Sequence, residues 1–271
     1  MNQIYLPLKV HAVKLEYRRL LLEKMPHGCI RLRRGKRTVV INYDPEDPKV
    51  SSKCPRFLSV ASKRGREYAE IINKYLKVKT EYDYLLDLWY STYCIAPPRV
   101  RFPVVRGHSF HEMNNEYFDE QKENRGKYET DTPTYSDHGA LKSKNELMSA
   151  ELLDRMGIPF KYETELFIGE TNKTINPDFL ISFFEIDRCI YLEVLGMNDK
   201  GDYSVKTATK LYDYSRGKYR PGREVIYVIL YDKSNFDSDY FVQQVMSAFN
   251  NMIPDDALEW AEEDIYLEQT S

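Results

Sequence analysis

The sequence predicts an α/β protein. An α-β-β-β-α-β-α succession fills its C-terminal half, and a basic β-hairpin with a long helix precedes it. Three observations predict this. From Ser143 onward, segments with helical spacing alternate with short runs rich in Val, Ile, Tyr and Phe. Near residue 35, two alternating apolar runs flank a basic stretch with a glycine. Residues 62–95 keep helical periodicity until "APPRVRFP" breaks it. The expected organisation is a basic hairpin and helical module over 1–106, a linker over 107–140 and the α/β domain over 141–271.

The elements follow in order. "AVKLEYRRLLLEK" at 12–24 spaces Leu and Val as a helix does, with basic residues between them. In the hairpin, Ile30 and Leu32 alternate with Arg31 and Arg33, Gly35 takes the turn, and "TVVINY" returns. "DPEDP" at 44–48 closes this unit. Residues 107–140 are polar, with Gly107, Gly126, Pro133 and Gly139, and read as a loosely structured connection. His108 and His111 fall there, too weak a pattern for a histidine metal site. "SKNELMSAELLDRMG" is a helix with Ser143 as N-cap, Glu146 at capping-box spacing and Gly157 at its end. "FKYETELFIG" is a strand turning at "GETNKT"; "INPDFLISFFE" and "DRCIYLEVLG" are the second and third. The helix "DYSVKTATKLYDYSRGKY", the fully apolar strand "REVIYVILYD" and the helix "DYFVQQVMSAFNNM" complete the order.

With 42% apolar and 30% charged residues in 271, the composition is globular rather than disordered. No apolar run is long enough to cross a bilayer, and the first residues lack the apolar core and cleavage site of a signal peptide. Cys29, Cys54, Cys94 and Cys189 form no Cys-x-x-Cys pair, so reduced thiols and a cytoplasmic location are expected. Residues 1–110 hold 22 Lys and Arg against 10 Asp and Glu, whereas the remainder holds 17 against 32. So basic a first part suits a polyanion. The plainer reading is a solvated basic surface balancing an acidic second half.

Two strands each carry a carboxylate inside an apolar run, Asp178 in "INPDFLI" and Glu193 in "CIYLEVLG". An unpaired buried carboxylate is costly. If the strands pair with both acids on one face, a divalent cation relieves their repulsion, and Mg²⁺ takes such oxygen ligands while keeping several waters. The plainer alternative is two solvated strand ends.

These residues resemble the PD-(D/E)XK, or restriction-endonuclease-like, nuclease superfamily over roughly residues 141–231. The family's α-β-β-β-α-β core places a Glu on the first helix, Pro-Asp at the second strand and Glu-x-Lys on the third. The matching residues are Glu146, "NPDF" with Asp178, and "YLEVLG" with Glu193. "KSKNE" at 142–146, "EVLGM" at 193–197 and "MPHG" at 25–28 resemble a phage- and mobile-element-associated branch of Gram-positive bacteria. The family's lysine would stand at position 195, which is Leu195. Some members move it to the next helix, which offers Lys206 and Lys210, and Lys210 keeps four-residue spacing to Tyr214.

The resemblance implies a Mg²⁺- or Mn²⁺-dependent deoxyribonuclease with Asp178, Glu193 and the Val194 carbonyl as metal ligands. It implies Lys210, or Lys206 a turn earlier, at the scissile phosphate, and Glu146 as an accessory catalytic carboxylate. Glu146 could equally only close its capping box, and both lysines could be surface charges balancing Asp202 and Asp213. Glu163 reads as a weaker candidate, a supporting or solvated residue. Arg31, Arg33, Arg34, Lys36, Arg37, Lys142 and Lys144 are expected to meet phosphates. Tyr214 is grouped with them, although a core-edge place suits it and Tyr203 better. DNA is the expected partner, RNA stays open, no membrane is involved, and the 62–95 helix could form a homodimer. A catalytically inactive nucleic-acid binder and a protein-interaction scaffold are the alternatives.

Overall fold

The computed structural model describes residues 6–41, 56–104, 111–123, 134–136, 139–196, 201–230 and 236–261, without the side chains at 56, 134–136 and 201–204. The "DPEDP" segment, Cys54, His108 and the side chains of Asp202 and Tyr203 lie outside the described residues. The protein is of mixed α/β class. It divides into two compact units, neither continuous in sequence. One comprises His11–Val100 with Leu258–Ser271, the other Met1–Val10 with Arg101–Ala257.

Helix α1 (Leu8–Lys24), which belongs to the first unit from His11 onward, starts a turn before its expected boundary. Its polar groups are paired where they are buried: His11 Nε2 lies 2.8 Å from the Leu85 carbonyl, and Arg18 reaches Glu81 at 3.0 Å. Strands β1 (Gly28–Arg33), β2 (Lys36–Ile41) and β3 (Arg56–Ser59) form an antiparallel sheet in that order. Arg33 pairs with Lys36, so Arg34 and Gly35 make a two-residue turn, with φ of 50° and 74°. Positive φ at both positions is the type I′ signature. Helix α2 (Lys63–Tyr93), capped by the Ser62 side chain, lays Ala69 and Ile72 on Val39 and Ile41. Gly65 permits the close approach, because a Cβ there would stand 1.8 Å from the Ser59 carbonyl oxygen. Strand β4 (Arg99–Val100) pairs with Leu258–Glu259.

In the second unit, helix α3 (Asn115–Glu120) falls inside the stretch expected to be a loose connection. Asn114 caps it, and Lys161 Nζ collects the Phe118, Asp119 and Gln121 carbonyls at its end. Six residues are too few for a periodicity to register. Strands β5 (Thr134–Ser136) and β6 (Gly139–Leu141) form a small hairpin. Helix α4 (Lys144–Arg155) has Ser143 as N-cap, accepting from the Glu146 N–H at 3.2 Å. It ends in a Schellman closure: Ile158 N–H donates to the Leu153 carbonyl at 2.9 Å around Gly157, at φ 64°.

The expected strand over 160–169 is split into β7 (Phe160–Tyr162) and β8 (Leu166–Ile168), and β8 turns to pair with β9 (Lys173–Ile175). The break falls at Glu163, a left-handed residue with φ 46° whose N–H donates to the Asp178 carbonyl. Next come β10 (Phe179–Phe183), β11 (Arg188–Gly196), helix α5 (Gly201–Arg216), β12 (Val225–Leu230) and helix α6 (Ser238–Met252). The main sheet runs β12-β11-β10-β7, with β11 and β12 parallel and the others antiparallel. All five residues of β10 are buried. On one face Phe183 stacks on Phe249 of α6; on the other, Tyr191, Tyr214 and Val225 form a cluster. A sheet covered on both faces explains why these strands read as nearly continuous apolar runs.

Candidate functional site

The last residue pair joining β10 and β11 is Phe179 with Leu192. One step further, Asp178 stands opposite Glu193, and opposed residues of an antiparallel pair share a face. The ladder stops there because Pro177 has no N–H to offer. Asp178 Oδ2 takes over as acceptor for the Val194 N–H, at 2.7 Å.

Glu193 is 1% exposed. Its Oε1 accepts from the Tyr214 hydroxyl and its Oε2 from Lys210 Nζ at 2.5 Å. Lys210 Nζ also donates to the Asn176 carbonyl at 2.9 Å and lies 3.9 Å from Asp178 Oδ1. Lys210 and Tyr214 are four residues apart on α5, so both face the sheet. Lys206, one turn earlier, is exposed. Asp178, Glu193, Lys206 and Lys210 border a cleft of about 850 Å³ that Lys142, Lys144, Glu146, Glu163 and Leu195 also line.

Glu146 is committed to local structure. Its Oε2 accepts from the Lys142 N–H at 2.9 Å and from the Tyr162 hydroxyl. It thus closes a capping box displaced by one residue, while its side chain still borders the cleft. Lys142 is held at both ends, because its ammonium pairs with Glu163, itself 6% exposed.

Burial, and then the Asp178 charge, push the Glu193 carboxyl up to about 8, against the opposing pull of Lys210 and Tyr214. Burial would lower the Lys210 ammonium, but Glu193 and Asp178 outweigh it, and the net shift is upward. The pair shares its protons: Lys210 keeps its charge, and Glu193 holds a proton to higher pH than an exposed carboxyl. Glu146 is also raised, first by burial and then by Asp178.

The oxygens here suit a hard divalent cation. Asp178 Oδ1 and the Glu193 carboxylate lie on one face. The Val194 carbonyl leaves its strand on the same side as its N–H, which points to Asp178. Two carboxylates and a carbonyl, with waters, fit Mg²⁺ or Mn²⁺ better than a soft metal. Among the described residues no three His, Cys, Asp or Glu side chains gather for a metal. An incoming ion meets the Lys210 ammonium already on Glu193.

Of the residues expected to meet nucleic acid, Arg31, Arg33, Arg34, Lys36, Arg37 and Lys144 are exposed, and Lys142 is half-buried. Tyr214 is the correction. It is fully buried with its hydroxyl on Glu193, so it orients that carboxylate and has no surface for a nucleobase. His111 stacks on Tyr219 and bonds the Gly217 carbonyl.

Two contributors escaped the sequence reading, and Glu163 was read as supporting without its partner. The Asn176 carbonyl anchors Lys210, Tyr162 anchors Glu146, and Glu163 holds Lys142 from a left-handed position. Asn176 had a signal, since a residue before proline is held extended. The other two depend on a chain break that strand periodicity does not reveal. Comparison with family models, with curated proteins and with solved structures finds no match.

Proposed function

We propose that the protein is a divalent-metal-dependent nuclease that hydrolyses phosphodiester bonds of DNA, with a PD-(D/E)XK-type site. One observation carries the reading: Lys210 reaches the Asp178–Glu193 pair from the neighbouring helix and so supplies the charge that Leu195 lacks. The α4, β7, β10, β11, α5, β12 succession supports it. Asp178, Glu193 and the Val194 carbonyl would hold Mg²⁺ or Mn²⁺, which when bound polarises a phosphate oxygen and lowers the pKa of a bound water. Lys210 stabilises charge developing on the phosphate. Tyr214 and Asn176 fix the directions of Glu193 and Lys210, and Lys142, Lys144 and Lys206 draw the backbone into the cleft. The basic hairpin adds phosphate contacts, and RNA remains open as a substrate.

The test is cleavage of linear single-stranded and duplex DNA, and of RNA, with Mg²⁺, Mn²⁺ or chelator. Cleavage is expected only with metal and is lost in Asp178→Asn and Glu193→Gln. A second reading, an inactive nucleic-acid binder, draws on Leu195 and on the Lys210–Glu193 contact that an ion must disturb. It predicts DNA binding unaffected by chelator, with no cleavage under any ion. Self-association through the 62–95 helix is a subsidiary proposal, resting on exposed Ile71, Tyr84 and Tyr90. Sedimentation that stays monomeric at high concentration would sink it.

A further inference from the structure

Seven consecutive residues, 31–37, are all exposed at the end of the β1–β2 hairpin. Five are cations, and among the described residues no carboxylate pairs with Arg33, Arg34, Lys36 or Arg37. The cations lie on both faces of the ribbon. Strand alternation places Arg31, Arg33 and Lys36 on one face, where Arg33 lies 4.3 Å above the Phe57 ring. Arg37 and Leu32 are opposite one another on the other face. At the tip, Arg34 occupies a left-handed turn position that Asn, Asp or Gly fills at less cost. A surface that only lies along a phosphate row needs charge on one face. Charge on both faces and at the apex suits a finger standing between two phosphate rows.

Leu32 completes the argument. It is 73% exposed, the most exposed large apolar side chain among the described residues. A lone exposed leucine is ordinary. This one sits among five cations on a projecting ribbon, where a contact confined to phosphates has no use for it. Grooves of a duplex offer phosphates on both walls and apolar base and sugar surface between them.

We propose that the hairpin is a groove-entering finger for double-stranded nucleic acid: Arg31, Arg33, Arg34, Lys36 and Arg37 meet the two backbones, and Leu32 is buried against the groove floor. This goes beyond the phosphate contacts included in the nuclease reading and sets duplex over single strand at this module. An anionic membrane is the competing partner. The both-faced distribution of charge favours the duplex, since a bilayer presents one plane.

The test separates the apolar contact from the ionic ones, and from catalysis. Binding is measured with the full chain carrying Asp178→Asn, in chelator, on duplex DNA, on the single strand and on vesicles of phosphatidylserine and phosphatidylcholine. Leu32→Ala is expected to weaken duplex binding about ten-fold, the scale for losing one buried leucine. It should leave the salt slope and single-strand binding unchanged. Arg34→Ala should instead reduce the slope by roughly 0.9. The proposal is overturned if Leu32→Ala binds duplex as the parent does, if both strand forms weaken equally, or if only vesicle binding falls. Metal-dependent cleavage by the otherwise unaltered chain reports separately on the nuclease reading. A cutting enzyme indifferent to Leu32 sinks only the finger, and a Leu32-dependent binder that never cuts sinks only the nuclease.

Discussion

At the scale of single residues, Lys210 carries the sharpest expectation. Lys210→Ala should lower cleavage by about 10²–10³-fold, the usual cost of removing a group that stabilises transition-state charge. DNA binding should stay within a few-fold of the parent. Lys206→Ala, on an exposed side chain a turn away, should cost far less, and the opposite ranking would move the role to Lys206. Tyr214→Phe removes a buried donor from Glu193 and should destabilise the fold by about 1.5–3 kcal/mol in urea titration. Glu193 also predicts a pH dependence. Its carboxyl is pushed from 4.5 up to about 8, so between those values the folded state binds more protons than the unfolded. Stability without metal should therefore fall as pH rises through that window. The slope should shrink in Glu193→Gln and in Asp178→Asn, and a saturating divalent cation should oppose it. A melting temperature independent of pH from 5 to 8 would contradict the assignment. Asp178 and Glu193 were marked by their place inside apolar runs and Lys210 by the family resemblance, and the structure brings the three side chains together. What Tyr214 does was not legible, since only burial tells a core tyrosine from a stacking platform.

At the scale of elements, long periodic segments and capped helices were read closely. Helix α2 differs from its expected span by a residue or two, and Ser143 caps α4 as its spacing implied. Short elements were not. Helix α3 is held by Asn114 and by Lys161, 40 residues onward, and no local pattern encodes a distant lysine. The break at Glu163 was equally hidden, since "YETEL" alternates as a strand does while one left-handed residue ends it. The hairpin turn offers a trade between stability and binding. Arg34→Asn should relieve the left-handed arginine and stabilise the first unit by up to about 1 kcal/mol. The same change should weaken DNA binding and flatten its salt dependence. Gaining stability with binding intact would show that the arginine is there for neither reason.

At the scale of the whole molecule, sequence order and spatial order part company, because the two units exchange segments near 10, 100 and 257. Composition gives no sign of this. A two-residue strand such as Leu258–Glu259 is too short to announce its partner, and β4 is no longer. Val100 and Leu258 pair across 158 residues, 258 less 100. A ribosome adding about 5–20 residues per second delivers the second roughly 8–30 s after the first. For that interval β4, an edge of two residues, waits without its partner. Synonymous recoding that slows translation between codons 101 and 257 should lengthen the wait, although no amino acid changes. Pulse-chase protease protection of the Val100 region reads the interval directly, and protection arriving before residue 258 emerges would remove the delay altogether.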